Sequence, residues 1–276
     1  METKAHTLLR YPGGKSRAVK HIAPLLEAVG GGKLVSPFFG GGSIELAMVQ
    51  KGWTVLGYDG WQPLTNFWQK VLEDSNQVAD IVDMLRPVGN PAYSAMQKGY
   101  SDLACEWMQA AVFYALNRCA HTGTGMTGGK TNWRGKPGDK EYCADACKHC
   151  PANPRLADGP VNKLRAFDAP KLKIKCADFT ESLSKHDGEL FYLDPPYVTV
   201  GKMLYDHSTE EFDHVKLANM LHYRDKWVLS YNNVEEVRDL YSGYPVLYPE
   251  WKYGIKRNSS TEILIFSKDL AHIAKT

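Results

Sequence analysis

With 276 residues and 43% hydrophobic content, the chain suits a soluble globular protein, with length for one large α/β domain carrying an insertion or for one domain plus a smaller second one. No stretch of about 18 apolar residues occurs, which excludes a membrane-spanning helix, and Met1-Glu2-Thr3-Lys4 opens no signal peptide, so a cytoplasmic location is expected. The net charge of +2 is too small to argue for a nucleic-acid partner, which turns attention to how the charge is distributed.

The first informative segment is Leu34-Val35-Ser36-Pro37-Phe38-Phe39-Gly40-Gly41-Gly42-Ser43, an apolar run that breaks into glycines. Ile44-Glu45-Leu46-Ala47-Met48-Val49 follows with helical spacing, so the segment reads as strand, tight turn and helix. Glycines there permit positive φ and close approach of a ligand to the backbone, and the helix start presents free N–H groups. Val55-Leu56-Gly57-Tyr58-Asp59 reads as a second strand ending in an acid, the position from which a carboxylate grips ribose hydroxyls in a βαβ unit. The Gly-x-Gly-x-x-Gly spacing of a dinucleotide site is absent, and Gly14-Lys15-Ser16 follows no apolar strand as a phosphate loop would. A cofactor with adenosine but no pyrophosphate fits this pattern, and S-adenosylmethionine is such a molecule.

Ala104 to Asn117 reads as an apolar core helix. After it the strand–helix rhythm lapses until Leu172-Lys173-Ile174-Lys175. From Thr124 to Lys175 there are 11 Lys/Arg against 5 Asp/Glu, a surplus of six, which leaves −4 for the rest of the chain. A basic segment inserted in such a fold is what phosphate-backbone binding requires, although a solvated loop is the plain alternative. Residues 75–168 are therefore expected to form a target-recognition, DNA-binding insert, with 1–74 and 169–276 making the catalytic domain. Within the insert, Cys143, Cys147 and Cys150 stand at C-x3-C-x2-C spacing with His149 between the last two. Six cysteines in a reducing compartment argue against a disulfide framework. Three thiols with His149, Cys119 or His121 would close a structural zinc site; the alternative is three unlinked cysteines in a polar loop. The spacing also resembles the cluster motif of radical S-adenosylmethionine enzymes, but that motif sits early in its family and this one falls mid-chain.

Glu189-Leu190-Phe191-Tyr192-Leu193 then runs into Asp194-Pro195-Pro196-Tyr197. A strand that stops at a double proline loses its backbone donors, so carbonyl oxygens face outward beside a carboxylate and an aromatic ring. Such a corner suits an amine on a flat base, and its plain alternative is a strand exit.

Together these motifs resemble the D12, or Dam-like, class of DNA adenine-N6 methyltransferases over most of the chain. Tyr11-Pro12-Gly13-Gly14-Lys15, Pro37 to Ser43 and Asp194-Pro195-Pro196-Tyr197 match that family's motifs in order. Cys176-Ala177-Asp178-Phe179, Trp227 to Asn232 and Ser260 to Ile265 match further segments. The resemblance implies a doubly wound, Rossmann-like α/β sheet, S-adenosylmethionine as methyl donor and the N6 amino group of adenine in double-stranded DNA as acceptor. It assigns catalysis to Asp194, Pro195, Pro196 and Tyr197. Cofactor binding falls to Tyr11, Gly14, Lys15, Pro37, Phe38, Phe39, Gly40, Gly41, Gly42, Ser43, Asp59, Asp178, Phe179 and Asp194. Asp59 follows from the βα geometry as well; Asp178 would equally cap a helix, and Lys15 would equally be a surface lysine. Arg118, Lys130, Asn132, Arg134 and Lys136 are the residues expected to touch DNA, since Arg and Asn make bidentate base contacts and Lys meets phosphate. Two other classes stay open: an amino-methyltransferase of cytosine N4 or of RNA, and a DNA-binding relative without catalysis.

Overall fold

A computed structural model describes residues 7–120, 123, 126, 156–198, 212–249 and 262–275. The chain divides into two compact units, one of Met1–His6, Lys15–Gly60 and Lys171–Thr276, the other of Thr7–Gly14 and Trp61–Pro170.

The first unit is built on β1 (Lys33–Ser36), β2 (Thr54–Asp59), β3 (Leu172–Cys176), β4 (Leu190–Leu193), β5 (Trp227–Asn232), β6 (Val246–Leu247) and β7 (Glu262–Phe266). Among the described residues these form one seven-stranded sheet in the order β3-β2-β1-β4-β5-β7-β6. β1 to β5 pair in parallel, and β7 runs antiparallel to both of its neighbours. Helices α1 (Val19–Val29), α2 (Ser43–Gln50), α7 (Phe179–Lys185), α8 (His214–His222) and α9 (Glu235–Leu240) connect or cover the strands. Every residue of β4, β5 and β7 is buried, as expected of central strands covered on both faces, and this explains why they read as largely apolar runs. At the edge, β3 alternates instead, with Lys173 and Lys175 exposed, and such charges discourage edge-to-edge pairing.

This architecture is the doubly wound, Rossmann-like methyltransferase sheet that the motifs imply. Chain order reverses between β1 and β4: β2 and β3 extend the sheet to one side, β4 and β5 to the other. In open α/β sheets, ligands bind outside the carboxyl ends of the strands at such a switch point. The glycine-rich loop after β1 and the Asp-Pro-Pro-Tyr corner after β4 both leave from that edge.

The second unit is helical where it is described: α3 (Gln62–Leu85), α4 (Asn90–Lys98), α5 (Glu106–Cys119) and α6 (Asp158–Arg165). Apolar faces of α3 and α5 meet through Phe67, which stacks on Tyr114 with ring centroids 5.7 Å apart. α3 breaks at Asp74 (φ −156°, ψ 98°). There the Asp74 carboxylate accepts from the N–H groups of Asn76 and Gln77 at 2.9 and 3.1 Å, so it starts the second half as an N-cap starts a helix. On α5, buried Asn117 accepts from Arg10 N–H at 3.0 Å and donates to the carbonyls of Arg10 and Gly123 at 2.9 and 2.8 Å. Gly123 (φ +86°) has no room for a side chain, because a Cβ would lie 1.8 Å from the Arg10 carbonyl oxygen.

Candidate active site

Strand register places the central carboxylate. Leu193 is level with Leu229 across the β4–β5 pair, so the next residue, Asp194, comes beside Ser230, whose hydroxyl donates to Asp194 Oδ1 at 2.8 Å. Ser230 is itself buried and bonded to Tyr192 Oη at 3.1 Å. Pro195 and Pro196 end the ladder because neither has an N–H to continue it.

Lys15, whose sequence context also fits a surface position, is 3% exposed and lies in this corner. Its carbonyl accepts from Ala18 and Val19 at 2.8 and 3.1 Å, which sets it in the turn that opens α1. Its Nζ is 2.8 Å from Asp194 Oδ1, 2.8 Å from Tyr197 Oη and 3.4 Å from Glu262 Oε1. Burial alone would push the ammonium down, but the attraction and hydrogen bonds of Asp194 and Glu262 hold it above its ordinary value. Glu262 opens β7 opposite Asn232 at the carboxyl end of β5 and accepts the Tyr197 hydroxyl. The Tyr197 ring stacks on Tyr231 at 6.1 Å and carries the Lys15 ammonium 5.0 Å from its centroid.

The loop after β1 is held against β2. Phe39 N–H bonds the Tyr58 carbonyl at 2.8 Å, and Gly40 N–H donates to Asp59 Oδ2 at 3.0 Å. Gly40 and Gly42 both have positive φ, 50° and 67°. A Cβ at Gly42 would come 2.6 Å from the Phe39 ring, and one at Gly57 within 2.3 Å of it. Glycine at both positions therefore lets the buried Phe39 ring lie flat under the loop. Ser43 begins α2, and its hydroxyl is 3.0 Å from that of Ser16, which ties the helix start to the Lys15 turn. In the first turn of α2, Glu45 is 3% exposed and accepts from Ser36 Oγ at 2.7 Å. Burial raises its carboxyl to about 7, against the pull of the Ser36 hydroxyl; Asp194 raises it further and Lys15 lowers it.

Asp178 caps α7: its Oδ1 accepts from the Thr180 and Glu181 N–H groups at 2.9 and 3.0 Å and from the Thr180 hydroxyl at 2.6 Å. Burial would raise this carboxyl, but those bonds bring it below its usual range. Phe179 stacks on Phe38 with centroids 5.7 Å apart, and Phe212 stands 5.6 and 5.3 Å from the two rings. Thus Lys15, the loop from Pro37 to Ser43, Asp59, the Phe38–Phe179 pair and the Asp194 to Tyr197 corner all belong to the sheet unit. Tyr11 and Gly14 form a turn in the helical unit, with Gly14 N–H bonded to the Tyr11 carbonyl at 3.0 Å. Arg118 sits in the last turn of α5. Lys130, Asn132, Arg134, Lys136 and the group Cys143, Cys147, His149 and Cys150 lie outside the described residues. Among the described residues, no three His, Cys, Asp or Glu side chains are grouped to hold a metal ion, and no helix is long and apolar enough to cross a membrane.

Four residues of the corner lie inside the segments read from the sequence but were given no role of their own there: Ser36, Glu45, Ser230 and Glu262. Ser36, Glu45 and Ser230 are polar residues within apolar runs and Glu262 stands at the head of one; those positions are the signal that would have found them, since a buried polar group needs a partner.

The donor set fits S-adenosylmethionine. Asp59 ends β2 where ribose hydroxyls would be held, the loop presents backbone at a helix start, and the Phe38–Phe179 pair offers aromatic surface for adenine. No curated protein matches the chain significantly. The family model described as D12 class N6 adenine-specific DNA methyltransferase matches residues 11–255. With the fold and the intact strand-end motifs, that match over nearly the whole length places the chain in the D12 class of N6 adenine-specific DNA methyltransferases.

Proposed function

We propose that this protein transfers the methyl group of S-adenosylmethionine to the N6 amino group of adenine in double-stranded DNA. The observation that carries the reading is the Asp194 carboxylate at the carboxyl end of β4, beside the glycine loop of β1, at the switch point of the sheet. The loop from Pro37 to Ser43, Asp59, the Phe38–Phe179 pair and Lys15 would hold the cofactor, and Tyr11 and Gly14 are assigned to cofactor binding on the N-terminal motif alone. Asp178 would reach it from the start of α7. S-adenosylmethionine supplies the electrophile, a methyl group on a sulfonium centre.

Adenine's exocyclic nitrogen is a weak nucleophile because its lone pair is delocalised into the ring. Asp194 and the carbonyl of Pro195 accept the two amino hydrogens and localise that pair, so the nitrogen becomes more tetrahedral as it attacks. Asp194 need not be a strong base, because the methylated nitrogen is acidic and releases its proton to the carboxylate or to solvent. Reaching the nitrogen in a duplex requires the base to leave the stack at a cost of roughly a few kcal/mol. Stacking on the Tyr197 ring offsets about 1–3 kcal/mol of it. The segment 75–168, with Arg118, Lys130, Asn132, Arg134 and Lys136, is assigned to DNA contact on the strength of the basic run that begins within it at Thr124. The cysteine group within it is assigned to structural zinc on spacing alone, and metal analysis of the purified protein, with an ultraviolet–visible spectrum against an iron–sulfur cluster, tests that assignment.

The deciding experiment is transfer of tritiated methyl from S-adenosylmethionine to unmethylated duplex DNA, with product nucleosides resolved, for the protein and its Asp194→Ala variant. N6-methyladenine that vanishes in the variant supports the reading. N4-methylcytosine would keep the mechanism and overturn the substrate. Absence of transfer despite cofactor binding would point to RNA or to a DNA binder without catalysis.

A further inference from the structure

The Lys15 ammonium poses a difficulty for the chemistry of Asp194. It sits 2.8 Å from the oxygen that should carry the negative charge, while the amine that Asp194 is to polarise becomes positive as it attacks. A cation held there opposes a second cation forming on the same carboxylate, and in a water-poor corner that opposition is strong. The surroundings contain a remedy. Glu262 Oε1 is already 3.4 Å from the same Nζ, so a change of well under an ångström within one buried pocket would change which carboxylate the ammonium contacts. The two acids also differ in access: the Asp194 side chain is 21% exposed and the Glu262 side chain 8%. An incoming base has the better access to Asp194, and Glu262 lies behind it.

We propose that Glu262 is a positioning residue that receives the Lys15 ammonium from Asp194 when the target amine binds, leaving the Asp194 charge undivided for the amine. Glu262 acts through Lys15 and never touches the base. Tyr197 is coupled to the exchange, because its hydroxyl accepts from Lys15 and donates to Glu262; the ring offered to the base is thereby held by the carboxylate that receives the lysine. No bond is made or broken in the step, and no proton changes owner. The inference rests on the amine-methylation reading, and its two tests are chosen so that it can fail separately.

The first test needs no catalysis. In protein labelled with carbon-13 at lysine Cε, with the Lys15 signal assigned by Lys15→Arg, Asp194→Asn should leave the Lys15 titration above the ordinary lysine value, because the Glu262 carboxylate still holds the ammonium. Asp194→Asn combined with Glu262→Gln should then lower it by about one pH unit or more. Loss of the raised titration in Asp194→Asn alone would overturn the inference, whatever the protein methylates. The second test is kinetic. Glu262→Gln keeps an acceptor for the Tyr197 hydroxyl and removes the charge, so kcat should fall about tenfold or more, while KM for S-adenosylmethionine and the melting temperature stay near those of the wild type. Glu262→Asp should recover part of the loss. A Glu262→Gln variant with wild-type kcat would sink the idea, as would one in which kcat, KM and melting temperature change together, the signature of a merely structural glutamate. If the wild-type protein methylates no nucleic acid, the proposed function fails, and the lysine titration still decides whether Glu262 can take the ammonium.

Discussion

Glu45 shows how a single side chain in the corner ties catalytic electrostatics to stability. Its carboxyl is raised from 4.5 to about 7 chiefly by burial. The folded protein therefore holds a proton there that the unfolded chain releases above about pH 4.5, and stability must fall as pH rises between those two values. A shift of that size corresponds to roughly 3 kcal/mol. Glu45→Gln keeps the shape without the charge, so its stability relative to wild type should increase by up to about 3 kcal/mol between pH 5 and pH 8 in urea unfolding. A constant difference across that range would show that Glu45 is ionised throughout. Lys15 was legible as a motif residue but not as a buried one: nothing adjacent in sequence announces Asp194 or Glu262, which reach it from β4 and β7. Asp178 is the opposite case, since helix capping is local and a strand-end acid before Phe179-Thr180-Glu181 already carried that reading.

At the level of elements, the loop from Pro37 to Gly42 depends on what lies beneath it. Phe39 fills the space that a side chain at Gly57 or Gly42 would need. Gly57→Ala should cost about 1–3 kcal/mol in urea unfolding and weaken S-adenosylmethionine binding by calorimetry, because the displaced ring carries the loop with it. Gly60→Ala, where a Cβ meets nothing within 4 Å, should change neither quantity and serves as the control. The α7 cap separates two roles for Asp178. Asp178→Ala should lower stability by about 0.5–2 kcal/mol, and Asp178→Ser, which keeps a capping oxygen, should restore most of it. If cofactor affinity returns with Asp178→Ser, the cap accounts for the residue; a persistent affinity loss would assign its carboxylate to the cofactor. Strand β7 explains why the matched segment Ser260 to Ile265 gave Glu262 no role of its own. Its antiparallel entry turns the first residue, not the last, toward the edge where β4 and β5 end.

Over the whole molecule, a net charge of +2 conceals a surplus of six positive charges between Thr124 and Lys175. If that segment meets phosphates, log Kd for duplex DNA should rise linearly with log salt, with affinity falling about tenfold or more between 50 and 200 mM. Charge-reversing Lys130, Arg134 and Lys136 together should flatten the slope, and a slope unchanged by those substitutions would remove the segment from the interface. The sequence by itself determined the motifs in order, the strand–loop–helix after β1, the acid ending β2 and the proline-terminated β4. Each is set by short-range chemistry: glycine's φ range, proline's missing donor, and the periodicity of apolar residues. Only the tertiary structure decided that Lys15, Asp194, Tyr197 and Glu262 share one buried corner, that Ser230 holds Asp194, and that Glu45 is pressed toward neutrality. Those facts depend on strand order and register, which bring residues some 180 to 250 positions apart within hydrogen-bond reach, and on burial, which sets what a charge costs once it is there.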